Sequence, residues 1–222
     1  MLASTAKVIF SDHAISAGDL VHNFWEKAEP VLLNKYWSGV DAEDGRHAEA
    51  RLLFTSEALL VRFECKQSEP LIINDKLFLT KKTRKLWEND VCEAFIAPDP
   101  QIPEKYCEFE VAPTGEWLDL KIHQKEGKRE TDWDYNSEIK TAAEMAPGSI
   151  IIAMQIPWKA FGKIPEAGEK WRGNLFRCVG RGGSGGRGGS GKDRGYLAWQ
   201  PTFTPEPNFH VPQAFGWFEF VR

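Results

Sequence analysis

The stretch YCEFEVAPTGEWLDLKI, residues 106–122, decides the fold class of this 222-residue chain. Apolar and polar side chains alternate along residues 106–112 and again along residues 116–122. Between them, Pro113-Thr114-Gly115 supplies residue types that favour a tight turn. Because period-two alternation on both sides of a turn is typical of paired strands, the stretch predicts a β-hairpin.

The alternation also assigns the side chains of this hairpin to faces. In the first strand an apolar set points one way and a polar set the other: Cys107, Phe109 and Val111 against Tyr106, Glu108 and Glu110. The second strand has the same two sets: Leu118, Leu120 and Ile122 against Trp117, Asp119 and Lys121. We expect the two polar sets to share a face. Such a face is either solvated or binds sugars, whose C–H faces stack on indoles and whose hydroxyls bond charged groups.

Similar alternation recurs along most of the chain and predicts an all-β fold. Further strands are indicated at residues 48–54, 58–65, 91–97, 138–144, 149–156, 171–179, 196–199 and 217–221. The helix candidates are short and lie within residues 17–33 and 158–161. Many short strands separated by turn signals favour an antiparallel β-sandwich with jelly-roll topology. No internal repeat or composition boundary divides the sequence, so residues 1–222 are expected to form one domain.

A glycine-rich segment, residues 180–195, departs from the composition of the rest. Its GxxxxGK sequence does not predict a phosphate loop, because Asp193 stands where Ser or Thr would hold Mg²⁺ and a strand follows instead of a helix. Two Arg-Gly-Gly triplets are also a feature of nucleic-acid-binding segments. We interpret the segment as a flexible hairpin connection, natural or engineered.

Composition argues against several classes of partner. A net charge of −4 and a pI near 5.8 argue against a nucleic-acid binder, which usually has a basic face. No stretch approaches the roughly 20 apolar residues that span a bilayer, so no membrane partner is expected. The N-terminus lacks the blocks of a signal peptide, which leaves the compartment open between an intracellular protein and one whose signal was trimmed. Four cysteines are dispersed in predicted strands and are expected to be free and buried: Cys65, Cys92, Cys107 and Cys178.

The segment QPTFTPEPNFHVPQAFG, residues 200–216, connects two predicted strands by a proline-rich aromatic loop. Prolines fix backbone angles and so reduce the entropy lost on ligand binding; here they are Pro205, Pro207 and Pro212. We expect this loop to present Phe209 to solvent as a binding ring, with His210 beside it. Phe203 and Phe215 are expected to cap the core. The nine tryptophans of the chain exceed what a core alone requires, and they favour ring-stacking recognition.

Several segments, in this order, carry a resemblance to a known family. They are LWENDVCEAFIAPD, the hairpin above, IPWKAFG, WRGNLFR, and the ending from YLAWQPT to GWFEF. From about Val61 to Phe220 the series resembles the family 9 carbohydrate-binding modules and their relatives in the DOMON-like superfamily. The resemblance implies a jelly-roll β-sandwich that binds a mono- or disaccharide unit between two aromatic rings without catalysis. It also suggests a secreted or periplasmic protein.

The resemblance further implies which residues bind the sugar. Trp87 matches one ring of the clamp, and Phe209 stands where the other ring is usually Trp. Glu93 matches an acidic strand position, whereas Glu110 occupies a position that is Arg in some sugar-binding members. The expected hydroxyl partners are Asn89, Glu93, Glu110, Arg177 and His210, and the further ring candidates are Trp117 and Trp199. Which face of its strand Arg177 occupies is ambiguous, because both of its neighbouring sets are apolar.

Structural calcium occurs in members of this family, and Asp99, between two prolines, is the loop candidate for it here. No other cofactor is expected, and the oligomeric state is left open. Three further functions also remain open. A glycoside-active enzyme would need two facing carboxylates, and a haem-binding domain would need axial ligands such as Met154 with His123 or His210. The third is a protein-interaction module without a small ligand.

Overall fold

The computed structural model describes residues 3–125, 127–180 and 194–222. Its first seven strands are β1 (Thr5–Phe10), β2 (Val31–Leu33), β3 (Lys35–Tyr36), β4 (Ala48–Phe54), β5 (Ala58–Lys66), β6 (Val91–Ala97) and β7 (Lys105–Val111). The next seven are β8 (Trp117–Lys125), β9 (Lys128–Asp132), β10 (Lys140–Ala146), β11 (Ser149–Pro157), β12 (Lys170–Val179), β13 (Gly195–Ala198) and β14 (Gly216–Val221). The helices are single 3₁₀ turns at Asn23–Lys27, Asp44–Arg46, Leu86–Glu88, Trp158–Ala160 and Pro212–Ala214. In the described ranges, no helix has the length and apolar character needed to cross a membrane.

The strands form one curled sheet, which confirms the all-β prediction. Its order is β10-β11-β5-β4-β1-β14-β12-β6-β7-β8-β9. At its sides β13 pairs with β12 and β3, and β2 pairs with β4. The expectation of a purely antiparallel sheet is wrong at β1, which pairs in parallel with both β14 and β4. These strands lie far apart in the sequence, so no hairpin turn constrains them to be antiparallel. The jelly-roll topology and the single domain stay predictions.

The predicted hairpin of β7 and β8 is present, but its faces combine differently from the prediction. Glu108 pairs with Leu120, and Glu110 pairs with Leu118. Paired residues of neighbouring strands point to the same side of a sheet, so the glutamates share a face with the leucines. Trp117, which pairs with Val111, lies on the opposite face. The expected polar face that joins the glutamates to Trp117 is therefore wrong.

Curling of the sheet encloses the main core. Side chains from β4, β5 and β11 meet side chains from β6, β7 and β12 in one cluster, which includes Phe63, Met154, Phe109 and Leu175. The other side of β6, β7, β8 and β12, here termed the outer face, carries a second cluster. Loop residues Leu86, Phe209 and Phe215 belong to that second cluster and cover the outer face. Both sides of β7 are consequently buried, although its sequence alternates between polar and apolar residues.

The glycine-rich segment connects β12 to β13. Val179 at the end of β12 pairs with Gly195 at the start of β13, so the two ends of the segment lie side by side. Residues 181–193, and with them the interpretation as a flexible loop, lie outside the described residues. The four cysteines are buried, as expected, and are free in this structure.

Candidate functional site

Three glutamates converge on the outer face. Glu93 on β6 is the cross-strand partner of Glu110 on β7, and Glu108 lies two residues earlier on the same side of β7. One carboxylate oxygen of each lies within 4.8 Å of the others. Their residues are 3%, 0% and 3% exposed, in the order Glu93, Glu110 and Glu108. The sheet register thus concentrates three acidic groups at one buried point, here termed the glutamate cluster.

Burial changes the acidity of the glutamate cluster. It raises the pKa of Glu93 to about 8, helped by the neighbouring charge of Glu108. It also raises the pKa of Glu108 to about 7. The pKa of Glu110 is raised well above its usual range, first by burial and then by repulsion from Glu93 and Glu108. The physical cause is shared, because low polarity and like charges both disfavour an ionised carboxylate.

Trp87 lies beside the glutamate cluster, in the 3₁₀ turn Leu86–Glu88 that precedes β6; this turn and Asn89 are here termed the Trp87 loop. Its backbone N–H favours the charged form of Glu110, which places this loop next to the cluster. Its side chain is 37% exposed. The indole of half-buried Trp133 lies 6.3 Å from that of Trp87, centroid to centroid, at an angle of 47°. The Arg84 guanidinium lies over the Trp133 ring, 5.1 Å from its centroid.

Arg194, immediately before β13, fixes the Trp87 loop to the sheet. Its guanidinium donates hydrogen bonds of 2.6–3.1 Å to four backbone carbonyls, those of Trp87, Glu88, Asn89 and Gly180. Asn89 also donates from its side-chain amide to Asn74 Oδ1, at 3.0 Å. The Arg194 charge favours ionisation of Glu93, but its hydrogen bonds in the described residues go to carbonyl oxygens and not to the glutamate cluster.

Phe209 and Phe203 exchange the positions expected from the sequence. Phe209 is only 8% exposed, and its ring stacks on Phe176 with centroids 4.0 Å apart. Phe203 is 55% exposed and adopts a left-handed backbone conformation, with φ +54°. The expectation of a solvent-exposed Phe209 is wrong because its loop folds back onto β12, and Phe203 does not cap the core. Phe215 is fully buried, as expected.

His210 lies at the edge of the glutamate cluster. Its Nδ1 atom is 2.7 Å from the Tyr106 hydroxyl and 4.0 Å from Glu108 Oε2. Burial lowers the pKa of His210 to about 3, and the charge of Arg129 contributes in the same direction. The imidazole is therefore neutral at physiological pH and bonds a hydroxyl rather than pairing with a carboxylate.

Three of the predicted site residues do not join this group. Trp117 and Trp199 pack against the main core, and Trp199 stacks on Phe218 at 5.6 Å. Arg177 alternates with Phe176 and points away from the outer face, beside main-core residues. It is 2% exposed, and its guanidinium bonds the carbonyls of Arg46, His47 and Lys66 and the side chain of Gln67. Arg177 thus ties the two halves of the curled sheet together.

The structure brings six of the predicted residues to the outer face and its rim: Trp87, Asn89, Glu93, Glu110, Phe209 and His210. It adds four that the sequence prediction missed: Glu108, Trp133, Cys178 and Arg194. For Glu108 the signal was its two-residue spacing from Glu110, which places both on one side of a strand. Cys178 on β12 donates from its thiol to Glu93 Oε1, at 3.5 Å. Nothing in the sequence near Trp133 or Arg194 marks them as neighbours of Trp87.

A separate cavity of about 540 Å³ lies at the ends of β7, β8 and β9. Its lining includes Tyr106, His123 and Asp99 but none of the nine predicted site residues. Asp99 Oδ1 accepts a hydrogen bond from the Gln101 backbone N–H at 2.9 Å. In the described residues no cluster of three metal-ligating side chains includes Asp99, so calcium there stays a prediction. Met154 lies in the main core and His210 on the outer face, so this pair of candidate haem ligands lies on different sides of the sheet. The alternative pair, Met154 with His123, stays a prediction.

Solved structures share this fold. A crystal structure from Bacteroides uniformis matches with a TM-score of 0.73 at 18% identity, covering 98% of this chain and 99% of that one. A family 9 carbohydrate-binding module from Caldicellulosiruptor kristjanssonii, solved with cellotriose, matches with a TM-score of 0.67 at 15% identity, covering 98% and 94%. The same kind of module solved with glucose also matches with a TM-score of 0.67 at 15% identity, covering 99% and 97%. At these identities the likeness shows the fold.

Sequence comparison gives a relative and a family. An extracellular protein of Arthroderma benhamiae is 27% identical over 144 residues. The match covers 58% of this chain and 62% of that protein, so this chain spans less than two thirds of its relative's length. The family described as "Carbohydrate family 9 binding domain-like" matches residues 17–220, nearly the whole chain. The chain belongs to the carbohydrate family 9 binding domain-like family.

Proposed function

We propose that this chain binds carbohydrate, without catalysis, on the surface formed by Trp87 and Trp133. One observation carries the proposal: the exposed indole of Trp87 lies at 47° to that of Trp133, so that the two rings form an apolar corner. The C–H face of a pyranose packs on such rings, and an indole also offers an N–H donor. The family and the modules of this fold solved with cellotriose and glucose support a glucose-containing ligand.

Trp133, rather than Phe209, is the second ring in this proposal. Phe209 already stacks on Phe176, which leaves 8% of the residue exposed. A ring that has one face packed and little exposed area has no free face for a sugar. Phe209 therefore packs the proline-rich loop against β12 instead.

Polar groups at the rim of the indole corner would bond the sugar hydroxyls. Arg84 and Glu88 are exposed, and Asn89 is half-buried beside them. Charged and amide groups of these types bond hydroxyls well, and Arg does so with a planar fork. Glu93 and Glu110, the hydroxyl partners expected from the sequence, are covered in this structure and are not assigned that role here.

The absence of catalysis is proposed from the same burial. A glycosidase needs two carboxyl groups that reach opposite sides of a glycosidic bond. Glu93, Glu108 and Glu110 are at most 3% exposed. A sugar on the Trp87 surface would not contact carboxyl groups that lie beneath it.

Calorimetric titration tests this proposal. The full chain would be titrated with cellotriose, cellobiose, glucose, xylobiose, galactose and maltose, and each reducing sugar that binds would be repeated as its alditol. We expect a cello-oligosaccharide to bind. Trp87→Ala should weaken that binding by about 1–3 kcal/mol, or roughly 5- to 150-fold, because truncated aromatic anchors typically lose this much.

Trp217→Ala is the matched control, since Trp217 is a half-buried indole on β14 under the Arg172 guanidinium. It should leave sugar affinity unchanged. If none of these sugars binds at millimolar concentration, carbohydrate binding of this class is contradicted. If the Trp87→Ala chain binds sugar as tightly as the wild type does, the binding site lies elsewhere on the fold.

A further inference from the structure

The glutamate cluster lacks the partners that buried carboxylates normally have. In the described residues, Glu108 Oε2 and both carboxylate oxygens of Glu110 are buried and accept no hydrogen bond of good geometry. The Trp87 backbone N–H lies near enough to favour the charged form of Glu110 but does not satisfy these oxygens. Glu110 is 0% exposed and its side chain points into the cluster. Buried polar groups are almost always satisfied, and an unpaired buried charge is strongly unfavourable. Three unsatisfied oxygens on two residues, beside the third buried carboxyl group of Glu93, indicate that a positively charged species belongs there.

The described cations near the cluster do not fill this role. Arg129, exposed on β9, favours ionisation of Glu108 through its charge but makes no hydrogen bond to the cluster in the described residues. Arg194 uses its guanidinium on four backbone carbonyls. His210 is neutral and its Nδ1 atom lies 2.7 Å from the Tyr106 hydroxyl, although Glu108 Oε2 is 4.0 Å away. The Cys178 thiol is a weak donor that reaches only Glu93. The mutual repulsion of the three carboxylates is therefore at most partly compensated by the groups around them.

The spacing of the oxygens fits one ion. Oxygen ligands of a single divalent cation, each about 2.1–2.6 Å from it, lie between about 3 and 5 Å from one another. The three carboxylates place one oxygen each within 4.8 Å of the other two. Carboxylates are hard ligands, which suit Mg²⁺, Ca²⁺ and Mn²⁺. Exposure of at most 3% favours a bare ion over an organic cation, which would need the loop above to open.

We propose that Glu93, Glu108 and Glu110 bind one divalent cation of the oxygen-preferring class beneath the Trp87 loop. The ion would replace mutual repulsion by attraction and join β6 to β7 under that loop. This site is distinct from the calcium position expected at Asp99. It also stands independently of carbohydrate binding, because its test contains no sugar.

Equilibrium dialysis of the full chain, first treated with a chelator, tests the proposal with Mn²⁺ and Ca²⁺ as separate probes. We expect one equivalent of at least one of these ions per chain. Glu110→Gln should weaken its binding at least tenfold, because the amide keeps the shape but loses the charge. Glu130→Gln, on exposed β9, and Asp99→Asn are matched controls that should bind as the wild type does.

Thermal unfolding provides a second measurement. A ligand that binds only the folded chain raises its Tm, so the ion should raise the Tm of the wild type and not that of Glu110→Gln. In chelator, Glu110→Gln should be at least as stable as the wild type, since an unpaired buried carboxyl group is removed. If Glu110→Gln does not fold, Mn²⁺ broadening of wild-type amide NMR signals decides the question. The Trp87 amide should broaden first, and that of Ile150 on β11 should not.

Some outcomes would overturn the proposal. Wild-type chain that takes up neither ion at 1 mM, on the order of the weakest known protein calcium sites, has no such site. Uptake that Glu110→Gln leaves intact, or that only Asp99→Asn removes, places the ion elsewhere. If Mn²⁺ mainly broadens amide signals distant from Trp87, the ion likewise binds elsewhere.

Discussion

The ring of Phe209 lies flat on the ring of Phe176, with the two planes 12° apart and the centroids separated by 4.0 Å. This stack joins the C-terminal proline-rich loop to β12 and closes part of the outer face. The proline-rich loop therefore holds the Phe209 ring inward, where it covers part of the second hydrophobic cluster. Trp87, in contrast, is exposed.

Phe209→Ala should destabilise the fold. Truncating a buried Phe typically costs about 3–5 kcal/mol through lost burial and the cavity that remains. Guanidinium denaturation measures the change. Phe203→Ala is the matched control, because Phe203 is 55% exposed and such a site should change stability by no more than about 0.5 kcal/mol. A stable Phe209→Ala chain that has lost sugar affinity would instead restore Phe209 as a binding ring.

Arg177→Met should also destabilise the chain, by about 3–5 kcal/mol, because it leaves buried acceptors without their donor. The acceptors include the carbonyl of Lys66 at 2.8 Å and the side-chain oxygen of Gln67 at 2.6 Å. Arg177→Lys should recover only part of the loss, since one ammonium cannot reproduce the planar fork. Denaturant midpoints measure both variants. Sugar affinity should be unchanged in any variant that folds, and a selective loss of affinity would place Arg177 in the site.

Gly173→Ala tests the packing of β12 against β6. A methyl group at Gly173 would lie 2.6 Å from the Phe95 carbonyl oxygen and would overlap the Phe218 ring. Because backbone cannot move aside easily, we expect a loss of about 1–3 kcal/mol. Gly18→Ala serves as control, since the nearest atom there is 3.6 Å away. Equal Tm values for the two variants would contradict this packing.

Thiol titration tests the state of the cysteines. All four are buried, and the Sγ atoms of Cys65 and Cys92 are 3.5 Å apart, well beyond the roughly 2.05 Å of a disulfide. A thiol reagent should label none of them rapidly in the folded chain and all four after denaturation. Only two reactive thiols in denaturant would show that one pair is joined by a disulfide, and peptide mapping would then test whether that pair is Cys65 and Cys92.

The sequence predicted the hairpin of β7 and β8 well, but not which faces meet. Alternation assigns the side chains of one strand to two sides, whereas the turn sets the register between strands. Here Val111 pairs with Trp117 across the turn, which brings Glu110 opposite Leu118. The prediction assumed that polar residues share a solvated side. It failed because loops cover the outer face and bury both sides of β7.

The candidate site was predictable in part. Trp87 was identified through the ordered segments around it, and it is exposed at the outer face. Trp133 was not, because the contact joins two loops that are far apart in the sequence. Nor does local sequence distinguish Phe203 from Phe209, since both are aromatic residues flanked by polar residues in one proline-rich loop. The path of the loop decides which ring is buried, and that path depends on tertiary contacts such as the one with Phe176.

The most direct test of carbohydrate binding on the Trp87 surface follows the indole N–H signals of the nine tryptophans by NMR during titration with cellotriose. The account predicts that the signals of Trp87 and Trp133 shift together and saturate, while those of core Trp158 and Trp171 stay in place. Signals that do not move at millimolar cellotriose, or shifts centred on Trp117 and Trp199, would contradict it.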